Sequence, residues 1–568
     1  MKSPDLTRAI DRSQLKLLGR QQSVDAVARN ASVSFFGSVI AISESPTVEG
    51  LLYVGTDDGL IQVSEDAGAT WRRLSSFPGV PDTTYAMQVV ASRHDAGTVY
   101  AVFNNHRSGD FAPYLLVSPD RGRTWRSIVA NLPARGSVYT IAEDPVVKGL
   151  LYAGTEFGAW VSLDGGGRWR QLKGGMPTIQ VRHLVVQERE GDLVAATFGR
   201  GFYVLDDLTP LRAAARDVAS MTAMAEGGAM LLPVRKTPMF LLSEPYMGGK
   251  GPGFFGAQHY TAANPPHGAV FTYWLPKEIR TKRAVRQERE KPLVKAGADV
   301  PFPGFDALRA EEREEAPEAV LTVRDQAGGV VRRLSGPAKA GFTRVAWDLR
   351  HAAPRLAPPR APDSDDEAPE GPVAAPGTYT VSLALRTDGQ LREIATQTFV
   401  AEPPTSLAGT TARDAGTRAF RLETARLQRA VLGAVALVGE VQQRLTQLKR
   451  AIDAAPTDTR TLTATVRTLE QQLADLRIPL SGDQTIARRN EPTPASIAAR
   501  VSQVIQYHWN GSGAPTRTQR QNLTWAGEAF TPVRAALEQL VERDLRALES
   551  AAEAAGAPWT SGRVPKWP

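Results

Sequence analysis

Three times the chain spells a serine, an aspartate two places on, a glycine two further and a tryptophan three beyond that: "SEDAGATW", "SPDRGRTW" and "SLDGGGRW". Their aspartates, Asp66, Asp120 and Asp164, lie 54 (66 to 120) and 44 (120 to 164) residues apart. A motif that recurs at such intervals restricts the fold to copies of one small unit set side by side. The flanking residues repeat as well. The first unit reads "SVIAISES", "LLYVGT", "GLIQVS" and "TWRRL", and the third reads "SVYTIAED", "LLYAGT", "GAWVS" and "RWRQL". The second fits with a longer middle loop: "YAMQVVAS", "TVYAVF", "YLLVS", "TWRSI". A fourth begins as "VRHLVVQ", "DLVAATF" and "GFYVLDD" and stops without its last strand.

Four short strands per unit at this spacing predict β-propeller blades. The motif falls between the third and fourth strands, so it forms a hairpin turn. There the carboxylate accepts turn amides, glycine supplies positive φ, and tryptophan opens the outer strand. Asp66, Gly68, Trp71, Asp120, Gly122, Trp125, Asp164, Gly166 and Trp169 are therefore assigned to structure rather than catalysis.

The figure resembles the Asp-box (BNR) repeat of sialidases, of sortilin and of the two-propeller xyloglucan-degrading glycoside hydrolases. The wider order resembles a group of large bacterial proteins labelled sortilin-like or "glycosyl hydrolase". The phrases that carry this are "SPDLTR", "GLLYVGTDDG", "GFYVLDDLTPLR", "NPPHGAVFTYWL" and "APWTSGRVPKW", and the resemblance covers nearly all of the chain. It implies propellers followed by a β-sandwich and a helical tail, in a periplasmic or secreted protein. Four blades are few for a closed ring, and "SPDLTR" resembles the end of a preceding blade. The expectation is an open arc, the carboxyl-terminal part of a longer protein, which associates with an upstream propeller half or with itself.

Beyond the repeats the pattern changes twice. "AVFTYWL", "AVLTVRDQAGGVVRRLSG", "GFTRVAWDL" and "PGTYTVSLALRTDGQLREIATQTFVAE" alternate and turn at "DQAGG" and "RTDGQ", which predicts an Ig-like antiparallel sandwich. Further on, Phe420, Leu427, Ala434, Val441 and Leu448 recur every seven residues, interleaved by Thr424, Val431, Val438, Leu445 and Ile452. Leu462, Val466, Leu469, Leu473 and Leu476 continue the seam, so a helical hairpin of coiled-coil type is predicted. Thr493-Pro494 reads as the start of a third helix, and a fourth runs from about Thr516 to Ala555 with a kink at Pro532. The fold class is mainly β with an α tail, and the antiparallel helices form a bundle. The expected divisions are a lead-in over 1–32, a partial propeller over 33–207 and a connector over 208–300 with a charged linker and the first sandwich strand. The sandwich follows over 301–403 with a disordered loop at 352–375, and the helices over 404–568.

Composition narrows function mainly by exclusion. No run of eighteen apolar residues exists, and the first twenty residues lack the apolar stretch of a signal peptide. Cysteine is absent, which removes disulfides and thiolate metal sites, and no metal or cofactor is called for. The net charge of +7 is spread along the chain rather than gathered into a stripe, which argues against nucleic acid.

Candidate site residues come from blade geometry. Turns after the second strand share one face, opposite the Asp-box turns. That face collects Asp57 and Asp58 of "GTDDG", His106, Arg107 and Asp110 of "NNHRSGD", Glu156 of "GTEFG" and Arg200 of "TFGRG". Carboxylates beside arginines suit a polar or anionic ligand, so the first reading is a binding or scaffolding module for a peptide or glycan. The alternative is a glycoside hydrolase, with Asp58 and Glu156 as candidates for the two carboxylates such chemistry requires. Neither the xyloglucanase pair nor the arginine trio and tyrosine of a sialidase can be matched here.

Overall fold

A computed structural model describes residues 3–14, 16–17, 19–26, 37–216, 228–240, 262, 264–354, 370–403, 411–509 and 513–565. The chain divides into two compact units. One comprises Met1–Arg235, Thr272–Ile279 and Lys339–Thr343; the other comprises Lys236–Phe271, Arg280–Ala338 and Arg344–Pro568.

In the first unit the repeats become sheets. Val39–Glu44, Leu52–Thr56, Ile61–Ser64 and Arg72–Leu74 form a four-stranded antiparallel meander. Tyr85–Ala91, Val99–Asn104, Tyr114–Ser118 and Arg126–Ser127 form the second. Val138–Glu143, Leu151–Thr155, Gly158–Ser162 and Trp169–Gln171 form the third. The fourth holds three strands, Val181–Gln187, Asp192–Thr197 and Phe202–Leu205. Successive sheets face each other through buried side chains: Tyr53, Ile61, Val89, Phe103 and Leu116 share one core, and Val102, Leu115, Ile141, Leu151 and Trp169 share the next. These are the apolar residues of each strand's alternation, removed from water on both faces.

Each sheet's first strand carries a bulge at the same place. The register skips Ile40, Met87, Tyr139 and Arg182. A bulge inserts an unpaired residue and re-aims its side chain. This repeat of geometry is invisible in residue identity.

The lead-in is docked. Leu6 is buried, its carbonyl accepts from Gln62 Nε2 at 2.9 Å, and Arg8 pairs with Asp82 at 2.7 Å. At the far end of the repeats a short helix, Thr209–Arg216, follows the fourth sheet. Its Arg212 reaches the fully buried carboxylate of Asp144 at 2.9 Å.

In the second unit a five-stranded sheet runs in the order Thr237–Pro238, Gln390–Glu402, Gly377–Thr387, Glu318–Asp325, Val330–Pro337. Trp347, Tyr379 and Phe399 pack edge-on or stacked over it, with Trp347 and Tyr379 centroids 5.2 Å apart. Ala269–Leu275, expected as the first sandwich strand, lies in a separate three-stranded sheet between Met230–Leu231 and Gly341–Trp347. The charged run, expected as a solvated linker or insert, forms a helix, Lys282–Lys295. Thr281 caps it, and Arg286 bridges to Glu290 one turn on at 2.8 Å and to Glu311 at 2.7 Å. Unlike charges four apart support a helix even without an apolar face. The expected disordered loop is anchored at both ends: His351 N donates to Pro372 O and Ala374 N to Leu349 O. Residues 355–369 of that loop, and most of the glycine-rich stretch before "AVFTYWL", lie outside the described residues.

The carboxyl-terminal part is helical: Thr411–Asp453, Arg460–Ser481, Ile497–His508 and Arg517–Gln539 are the long members. Val431, Val438, Leu445, Val466, Leu469, Leu473, Val501 and Leu537 share one core. Along the seam Leu427, Leu462 and Leu476 are only partly buried. The third helix begins at Ile497, not at Pro494, because Ser496 Oγ accepts the amide of Ala499 and so fixes the start. The fourth passes through Pro532 without a break, and its irregularity is a π-helical stretch at Leu540–Leu545.

Candidate functional site

Third-strand geometry sorts the side chains. In the third sheet, Gly158–Ser162 starts from the turn that holds Glu156 and ends at the turn that holds Asp164, so the two carboxylates lie at opposite ends of one strand.

At the Asp-box end each aspartate accepts from within its own turn. Asp66 Oδ1 accepts Thr70 N at 2.8 Å and its Oδ2 accepts Thr70 Oγ1 at 2.6 Å. Asp120 does the same with Thr124, at 2.7 and 2.6 Å. Asp164 accepts Arg168 N at 2.9 Å, and no hydroxyl follows because arginine stands where the other turns have threonine. The serines bridge to the glycines: Gly122 N donates to Ser118 Oγ at 2.7 Å. Gly68, Gly122 and Gly166 have φ of 88, 80 and 91°, left-handed values that a side chain resists. Trp71 and Trp125 donate Nε1–H to the carbonyls of Gly68 and Gly122, whereas Trp169 donates across to Ile128 O. Burial disfavours the charged form of Asp120, but the Thr124 hydroxyl and amide outweigh it and hold the carboxyl down at about 2.

At the other end the candidates part company. Asp57 and Asp58 are fully buried. Asp57 Oδ1 accepts the amides of Gly37 and Ser38 at 2.7 and 2.8 Å, and its Oδ2 has no partner. Asp58 accepts Thr56 Oγ1 at 2.5 Å and Arg8 N at 2.6 Å. The lead-in thus covers the turn that the sequence reading left open. Asp110 is likewise a local clamp, accepting Asn105 Nδ2, Ala112 N and Tyr114 OH.

Glu156 is different. It is half-buried, and its Oε2 accepts Tyr139 OH at 2.5 Å and Gln180 Nε2 at 2.9 Å. Burial first, then the Glu156 carboxylate, pushes the Tyr139 hydroxyl up to about 12, so it stays a donor. The Arg182 guanidinium lies 4.5 Å from the Tyr139 ring centroid and 5.8 Å from that of Phe198. Both distances suit a cation over an aromatic face. Arg107 sits 4.8 Å from the Tyr85 ring. His106 Nδ1 hydrogen-bonds to Asn104 Oδ1. Burial, then the Arg107 and Arg182 charges, lower its pKa, while Glu156 acts in the opposite sense. Direct contacts join Tyr139, Glu156, Gln180 and Arg182 to one another. Arg200 stands exposed on the turn before Phe202, and no contact among the described residues joins it to them.

Tyr139, Gln180, Arg182 and Phe198 are residues that motif reasoning passed over. Tyr139 and Arg182 occupy the bulge position of their sheets. In the aligned first strands Ile40, Met87, Tyr139 and Arg182 form one column of unlike residues, so residue identity gave no signal for the two. Among the described residues no group of His, Asp and Glu is arranged to hold a metal ion, and no helix is long and apolar enough to cross a membrane.

No family model and no curated protein sequence matches this chain. Among solved structures it is similar to an ancestral GH74 enzyme, at 18% identity and a TM-score of 0.25 over 28% of this chain and 22% of that one. It is similar to YCF48 bound to D1 peptide at 16% identity and a TM-score of 0.24, over 30% of this chain and 51% of that one. For the GH74 xyloglucanase from Xanthomonas campestris the values are 16% and 0.23, over 28% and 27%. The chain therefore spans between about a fifth and a half of the length of these β-propeller proteins.

Proposed function

We propose that the four sheets are blades of an open Asp-box β-propeller arc and that the face around Glu156 binds a ligand, a peptide or glycan. The five-stranded sheet is one face of an Ig-like sandwich and the helices are an antiparallel bundle, and together they form the scaffold. The observation that carries the binding reading is the convergence of Tyr139 and Glu156 from the third sheet with Gln180 and Arg182 from the fourth. The Arg182 guanidinium, the Glu156 carboxylate and the exposed ring of Phe198 offer charge, hydrogen bonds and an apolar platform together. The location proposed is periplasmic or secreted.

Hydrolysis is the weaker reading. A glycosidase places two carboxylates about 5 to 9.5 Å apart across the scissile bond. Asp58 has both oxygens committed to Thr56 and Arg8, which leaves Glu156 without a free acidic partner among the candidates. The deciding experiment is capture from glycan and peptide arrays by the wild type, Arg182→Ala and Glu156→Gln. Loss of capture in both variants supports binding at this face. Capture unchanged in both rejects it, and Glu156-dependent cleavage of a captured glycan restores the hydrolase.

The arc reading also assigns partners. Val39 and Ile42 are exposed on the first strand of the first sheet, and Val185, Phe202 and Val204 on the fourth sheet. Apolar strand faces of this kind invite association, here with a further propeller segment or with a second copy.

A further inference from the structure

A second cleft lies in the helical part, between the first long helix and the carboxyl-terminal segment. Its volume is about 490 Å³, and Gln447, Arg450, Pro558, Trp559, Thr560 and Ser561 line it. Its walls are pinned. Trp559 Nε1 donates to Arg563 O at 2.8 Å, and Arg563 in turn donates to Glu549 O at 2.9 Å. Glu549 is buried and pairs with Arg444 at 2.5 Å. Ser561 Oγ donates to Gln447 Oε1 at 2.8 Å. That bond leaves the Gln447 amide NH2 as an outward donor. Trp559 is held in one orientation yet remains 57% exposed, an unusual state for so large a ring.

The polar lining is one-sided. Arg450 has no ion-pair partner among the described residues, and no acidic side chain lines the cleft. Donors therefore outnumber acceptors, and a complementary ligand is rich in acceptors and carries negative charge. Beside these donors the Trp559 ring and Pro558 form a flat apolar face. A ligand must then combine a flat C–H face, several hydroxyls and an anion on one small frame. A pyranose with a carboxylate does so, and the volume lies within the usual range for small-molecule sites, about 300–1,000 Å³.

We propose that this cleft is a second binding site, for a saccharide unit of the uronate class. The sugar stacks on Trp559, its carboxylate meets Arg450, and a hydroxyl accepts from Gln447. The site is independent of the face around Glu156. The test is titration of the full chain with methyl β-D-glucuronide and with methyl β-D-glucoside, by calorimetry and indole fluorescence. The glucuronide is expected to bind about tenfold tighter, as a charge-assisted guanidinium–carboxylate pair allows. Arg450→Gln, on an exposed helix position, should abolish that preference, and Trp559→Ala should weaken both sugars about tenfold. Glu156→Gln should change neither, which separates this site from the first. Circular dichroism checks that the helices persist, and if Trp559→Ala fails to fold, Arg450→Gln decides alone. Absence of binding, equal affinity for the two sugars, or binding unmoved by Arg450→Gln overturns the proposal. So does tighter binding of a blocked dipeptide with a free carboxyl terminus, which would make the cleft a peptide site.

Discussion

Two turns of the same repeat show how location alone fails to decide a role. Asp57 of "GTDDG" and Glu156 of "GTEFG" stand at matching places, and their amides donate to matching serines, Ser38 and Ser137, both at 3.0 Å. Yet Asp57 is buried and folds back on the amides of Gly37 and Ser38, while Glu156 reaches out to Tyr139 and Gln180. One extra methylene lets the glutamate leave its own backbone. The other half of the difference is cover: Arg8, some fifty residues upstream in the chain, seals the first turn through Asp58. Among the described residues no such lid covers Glu156, which stays half-buried. A carboxylate on this face is therefore structural where chain covers it and available where it does not.

The largest effect should come from the covered turn. Asp58→Ala removes the acceptor for Arg8 N and Thr56 Oγ1 and strands both donors in a buried site. Hydrogen bonds to a charged group contribute about 1.5–3 kcal/mol each, so a loss of about 3 kcal/mol is expected. The denaturant midpoint of the first unit measures it. A loss below about 1 kcal/mol would mean the lead-in does not hold this turn, and the contrast with Glu156 would collapse.

The open turn should behave in the opposite way. Glu156→Gln keeps the shape and the acceptor for Tyr139 OH, so stability should change by less than about 0.5 kcal/mol. Ligand affinity should fall about tenfold, as expected for loss of a charge-assisted contact. Paired measurement of midpoint and affinity in the same variant checks both halves. A large midpoint shift with affinity intact would make Glu156 a structural residue like Asp57.

How far the sequence foretold this contrast depended on the reach of each interaction. The Asp-box turns were legible because donor and acceptor lie within five residues, as with Asp120 and Thr124. The heptad seam was legible because burial follows period, and Val431, Val438, Leu445 and Ile452 are all buried. What escaped was set by distant chain or by geometry without residue identity. The burial of Asp58 needs Arg8, and the placing of Tyr139 and Arg182 needs a bulge. Helix punctuation went astray where two signals competed: Ser496 outbid Thr493 as a cap because only its hydroxyl meets the amide of Ala499. The helical form of the charged run was not legible because period was weighed and Arg286–Glu290 pairing was not.

The far end of the strands offers a smaller test. Ser118 is fully buried and its Oγ accepts Gly122 N while donating to Asp120 Oδ1 at 2.8 Å. Ser118→Ala leaves one buried amide unmet, at a cost of about 1–2 kcal/mol. Ligand binding at the Glu156 face should not move, because the turn lies at the opposite strand end. An affinity change in Ser118→Ala would show that the two ends are coupled and that the division drawn here is too sharp.

The smallest expected effect is on acid stability. Asp120 in the folded chain is held down from 3.8 to about 2: burial opposes the charge, and the Thr124 hydroxyl and amide more than offset it. A depressed carboxyl contributes stability above the unfolded pKa and loses it as pH falls through the folded one. The loss should therefore run from about pH 4 to about pH 2. Asp66 is lowered too, led by the Thr70 hydroxyl. Asp164 is lowered against burial by Ser162 and the Arg168 amide, without a threonine hydroxyl. All three turns are open to solvent, so screening keeps each contribution small. Asp120→Asn should flatten the fall in thermal midpoint between pH 4 and pH 2, and Asp164→Asn should flatten it less. Equal flattening in the two variants would show that the threonine hydroxyl adds nothing. Backbone amides alone would then account for the clamp, and the third turn would cease to be the weaker copy.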